Sequence, residues 1–143
     1  MENTDSYVLH VAQKWRGEDS MGKRLPLHWA LTIKTAGSDI GNIYNAAGNI
    51  DTFHYEALTN TPLKDVNYRG SLLVGTIPRE SLPEVEQLLS QVPVIRHDYN
   101  WNCQNWVWSG IRELRKAGYP IKPFMTWHEL VIDMDRLVDD WEE

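Results

Sequence analysis

Hydrophobic and polar positions change period midway along this chain, and the change divides it into a sheet-forming half and a helical half. In "YVLHVAQKW", residues 7–15, β-branched and aromatic residues predict a first strand, ended by the polar, turn-rich "RGEDSMGKRLP". Pro26 leads into "LHWALTIK", where alternation puts His28, Ala30 and Thr32 on one face and Trp29, Leu31 and Ile33 on the other. Turns at "AGSDIG" and "NIDT" set off "NIYNAAG" and "FHYEAL", so residues 27–58 read as an antiparallel meander of three strands. "SLLVGTI", residues 71–77, predicts one more, which makes a sheet of about five strands.

Beyond "PRE" the period becomes helical. Ser81 and Glu84 stand in capping-box spacing before "VEQLLSQV". "PVIRHDYNW" reads as extended or looped, and Asn102 is a natural N-cap for a helix from Cys103 to Ala117, ended by Gly118 and Pro120. Cys103, Val107, Ile111 and Leu114 share a face of it, so the cysteine lies in the first turn and points inward. Thr126 and Glu129 repeat the capping spacing ahead of an apolar stripe of Trp127, Leu130, Val131, Met134, Leu137, Val138 and Trp141. The expected class is α+β, an antiparallel sheet packed against helices in one domain spanning residues 1–143.

With 42% hydrophobic and 24% charged residues the chain falls among globular proteins, which sets disorder aside. A formal charge of −6 argues against a nucleic-acid partner, because phosphate binding relies on clustered cations. The beginning "MENTDSYVLHVAQKW" has no basic region before an apolar run, and no segment approaches the roughly 18–20 apolar residues needed to span a bilayer. One cysteine cannot form an internal disulfide. A cytoplasmic location without stable membrane insertion is expected. Oligomeric state leaves no signature. A single cysteine and five scattered histidines show no ligand spacing, so neither a metal nor another cofactor is expected.

The remaining question is what Cys103 does among Trp101, Trp106 and Trp108. Buried lone cysteines are usually packing residues. Catalysis requires a thiolate, so something must lower the thiol pKa, and the first turn of a helix does so in part. It also requires a base. Among the histidines, His128 lies in the acidic last helix, His10 in the first strand, and His97 beside Asp98 in a loop, where it is the local alternative. His28 is better placed, on a strand that holds it rigidly beneath the helix carrying Cys103. A third group to orient the ring comes from the next strands, as Asn45 or His54, and an amide carbonyl serves that purpose in Cys-His-Asn sets. On residue type alone Asn45 reads equally as a turn or edge residue, and His54 as an exposed strand residue.

A strand with "HWAL", a strand with "GNIYNAAG" and a late helix opening "NCQNWV" resemble, in that order, the circularly permuted papain-like branch of the NlpC-type superfamily. That branch includes the lecithin retinol acyltransferase-like enzymes, with H-W-A-[IL] and N-C-E-H-F-V, and the PPPDE desumoylating isopeptidases. Agreement is closer with small fungal proteins carrying H-W-A-L, G-x-x-x-H-x-x-G and N-C-Q-[DN]-W-V. The matched segments cover residues 27–56 and 99–118, and their order is more specific than either motif alone. The resemblance implies a papain-like domain with the histidine strand ahead of the cysteine helix, Cys103 as nucleophile and His28 as general base. It puts Asn45 where those relatives often have histidine.

It further implies a thioester intermediate, with the backbone N–H of Cys103 or Gln104 as oxyanion donor, Tyr99 and Gln104 as side-chain contributors, and Trp101, Trp106 and Trp108 as pocket walls. Its branches act on peptide and isopeptide bonds, cell-wall peptides and lipid acyl esters. The lack of a hydrophobic anchor and the acidic end of the chain favour a small-molecule or peptide substrate. A protein keeping this fold without the chemistry would instead use the aromatic cleft to hold a partner or ligand.

Overall fold

The structure is a computed structural model that describes residues 6–122 and 126–142, without the side chain of Glu142. Five strands form first: β1 Ser6–Lys14, β2 His28–Ala36, β3 Ile40–Ala47, β4 His54–Pro62 and β5 Tyr68–Pro78. A 3-10 turn, Arg79–Ser81, then leads into α1 Leu82–Ser90, followed by α2 Cys103–Lys116 and α3 Trp127–Glu142. The strands make one sheet in the order β4-β3-β2-β1-β5, with every neighbouring pair antiparallel. The α+β class expected from the two periods is what forms. After β4 the chain crosses to the far edge and lays β5 beside β1, starting three residues earlier than the "SLLVGTI" run indicates.

Alternation along the central strands decides which face is covered. Leu9 and Val11 of β1, Trp29, Leu31 and Ile33 of β2, and Tyr44 of β3 join one core with residues of all three helices. The opposite face carries a small cluster of Ala30, Ile43 and Leu63. Helix α2 buries Cys103, Trp106, Val107, Gly110, Ile111 and Leu114, which includes the whole face read from the sequence. Gly110 sets how closely it lies: a Cβ there would stand 3.0 Å from Leu31 Cδ1 and 3.2 Å from Leu89 Cδ2. In α3 the stripe is buried at Leu130, Met134 and Val138, while Trp141 is half exposed and meets the Tyr68 ring edge-on at 5.5 Å.

The helix starts differ. Asn102 caps α2 as expected, its Oδ1 accepting from Gln104 N–H at 2.8 Å while Asn105 Oδ1 accepts from Asn102 N–H at 2.8 Å. Thr126 Oγ1 accepts from Glu129 N–H at 3.1 Å. Ser81, by contrast, makes no capping bond. It ends the 3-10 turn with helical dihedrals, φ −90° and ψ −3°, so α1 is entered from a turn already wound and the Ser81 side chain is not in the cap geometry.

Candidate active site

The site lies where two neighbouring strands part. Pairing of β1 with β2 continues to Lys14↔His28, but pairing of β2 with β3 ends at Leu31↔Tyr44. Strand β3 meanwhile stays with β4 as far as Ala47↔His54. The backbone at Trp29, in β2, and at Leu27, just before it, is therefore left without β3 as a partner, and the start of α2 supplies one. The N–H of Trp29 hydrogen-bonds the Cys103 sulfur, and Gln104 Nε2 donates to Leu27 O at 2.9 Å. Cys103 is 1% exposed.

His28 and Asn45 sit on the sheet face opposite Trp29 and Leu31 and reach across the same gap, with His28 Nε2 and Asn45 Oδ1 3.0 Å apart. The roles in this contact are fixed by what lies behind it. Asn45 Nδ2 donates to Glu56 O at 3.3 Å and approaches Glu56 Oε1 at 3.5 Å, so its oxygen must face the ring. The proton is then on His28 Nε2, and Nδ1 carries the lone pair. His54, the other candidate for this position, turns away, with its Nδ1 3.1 Å from Thr52 O on the exposed edge. Its place next to the turn at residues 49–53 gives the ring the Thr52 carbonyl as its partner.

Burial dominates the electrostatics. It pushes the Cys103 thiol above its ordinary value, and the N–H groups of Trp29, Gln104 and Cys103, with the charge of Arg16, pull it back by less. The helix start thus acts in the expected direction, lowering the pKa in part, without prevailing over burial. Burial likewise holds His28 below the usual imidazole range, against the Asn45 hydrogen bond, while Arg16 and Lys14 lower it further and Glu56 raises it. Near neutral pH the pair is therefore a neutral thiol and a neutral imidazole.

Other residues singled out in the sequence fall into different places. Gln104 has both its groups engaged, the side chain on Leu27 O and the N–H on Asn102 Oδ1, so neither is an idle oxyanion donor. The Cys103 N–H is turned toward its own sulfur. Tyr99 is 95% exposed and walls nothing. The tryptophans share no single pocket. Trp101 meets Phe53 edge-on at 5.3 Å, Trp106 is fully buried with its ring 5.9 Å from that of Tyr55, and Trp108 lies 6.2 Å from Trp127. Each pins the start of α2 to a different element. His97 is committed to Asp51, 3.0 Å away on the exposed turn. His10 faces Lys34 and Lys64, and His128 is exposed.

Arg16 and Glu56 act on the site but do not stand out in the sequence. The signal for Arg16 is that "QKWRG" ends β1, and an antiparallel neighbour brings the end of one strand beside the beginning of the next. Among the described residues no three His, Cys, Asp or Glu side chains gather to hold a metal ion, and no helix is long and apolar enough to cross a membrane.

No curated protein and no solved structure matches the chain. Residues 18–120 match the profile of DUF6540, a family of unknown function, and this span contains β2, β3 and the start of α2 with Cys103. The chain belongs to the DUF6540 family.

Proposed function

We propose that the protein is a thiol-dependent hydrolase or acyltransferase of permuted papain-like type, acting on an amide or ester carbonyl. The observation that carries this reading is the His28–Asn45 contact, 3.0 Å long and backed by Glu56, on the strand whose Trp29 N–H meets the Cys103 sulfur. In the proposed reaction Nδ1 takes the proton of Cys103 as the sulfur forms a bond to the substrate carbonyl carbon. The Cys103 N–H holds the carbonyl oxygen as it gains charge. Collapse breaks the bond to the amine or alcohol, which leaves with the proton from His28, and a thioester remains. Water or an acceptor amine or hydroxyl then gives its proton to His28 and attacks the thioester, and Cys103 regains a proton as it leaves. Since both groups are neutral at rest, the thiolate arises during attack rather than beforehand.

Burial supports a second reading. A thiol 1% exposed, with its pKa raised, also suits a packing residue in a protein- or ligand-binding module. Intact mass after exposure to a panel of activated esters, amides and electrophilic peptides separates the two. An acyl adduct on Cys103 is expected, forming roughly 100-fold or more slower in His28→Ala. No adduct, or equal rates in both proteins, would overturn the catalytic reading.

A further inference from the structure

On the helix side of the sheet, next to the start of α2, lies a cavity of about 230 Å³ walled by Leu25, Trp29, Gln104 and Val131. Among its polar lining residues Gln13 is 0% exposed. Gln13 Nε2 donates to Met134 O at 2.8 Å and to Arg69 O at 3.3 Å. Two carbonyls on one side fix the amide, because a flipped group would set oxygen against oxygen. Gln13 Oε1 is consequently a buried acceptor without a partner among the described residues, an arrangement that costs stability unless something fills it. The volume far exceeds the roughly 10–15 Å³ that one water requires. Arg24 and Asp135 line the same cavity, so charges of both signs are present and no net charge draws in an ion.

We infer that this cavity is the substrate subsite of the proposed Cys103 reaction, and that it takes a peptide segment whose amide N–H donates to Gln13 Oε1. The inference rests on the proposed reading only for the word substrate. A neutral donor answers the unpartnered, neutral Gln13 acceptor, and Leu25, Trp29 and Val131 give the cavity an apolar wall suited to a small side chain. Gln104 joins the subsite to the nucleophile, since it lines the cavity and directly follows Cys103.

Binding to full-length Cys103→Ala tests this without calling on the chemistry. The probes are N-acetyl-alanyl-alanine amide and its depsipeptide, in which the inner N–H is replaced by oxygen. Saturable shifts are expected at the Trp29 indole and the Leu27 and Gln104 amides in nitrogen-proton correlation spectra. The depsipeptide should bind about tenfold more weakly, and Gln13→Met should abolish the difference. Val131→Trp, which fills the cavity from α3, should erase the shifts and serves if Gln13→Met does not fold. Equal affinity for the two probes, shifts elsewhere, or no saturable shift would overturn the inference and leave Gln13 Oε1 to bound water alone. Amide-selective binding in a protein whose wild type forms no acyl adduct would uphold the subsite and refute the catalysis.

Discussion

At the scale of single residues the site is governed by burial more than by charge. His28 is held neutral in the fold below the ordinary imidazole value of 6.5, as is His10. The unfolded chain takes up protons first as pH falls, so these groups leave stability intact above that value and erode it as pH drops toward the lowered folded pKa. Urea midpoints measured from pH 7.5 downward should fall in wild type and fall less in His28→Gln. For the proposed reaction, the acid limb of the acylation rate should lie below the ordinary histidine range. Asn45→Asp would place a carboxylate on Nε2 and move that limb to higher pH, whereas Asn45→Ala should slow acylation up to about 100-fold by releasing the ring. Rates against pH for the three proteins check both. His28 and Cys103 stood out as candidates in the sequence because their types and flanking motifs are distinctive. The net direction of the Cys103 pKa was not legible there, because it depends on how much protein surrounds the sulfur, which no local pattern encodes.

Elements show the opposite balance, since most were readable from period and caps. Alternation in "HWALTIK" named the covered face, and the first turn of α2 formed on its asparagine cap. Asn102→Ala should cost about 1 kcal/mol by thermal or urea unfolding and free the Gln104 N–H. Gly110→Val should destabilise by about 1–3 kcal/mol, because the added side chain meets Leu31 and Leu89 at a distance the helix cannot keep. Ser81 was misleading for a local reason: serine and glutamate in capping spacing cannot reveal that a 3-10 turn precedes the helix. Nor could strand patterns reveal that β2 and β3 separate at one end. Each strand is regular in itself, and the separation is a property of the pair.

Over the whole molecule, three helices cover one face of the sheet and their docking completes the site. Met134, fully buried in α3 and joined to Gln13 through its carbonyl, ties the last helix to β1. Met134→Ala should cost about 2–5 kcal/mol, measured by urea unfolding. Arrangement at this scale was the least legible, because the place of β5 beside β1 and the polar tie between Gln13 and α3 both link residues far apart in sequence. The parting of β2 from β3, closed by the first turn of α2, also makes the lone thiol a clock for helix undocking. A reagent too bulky to reach a sulfur 1% exposed can label it only during excursions that lift α2 from the sheet. Labelling time would then report the free energy of that partial opening, separately from global unfolding, and Asn102→Ala should shorten it.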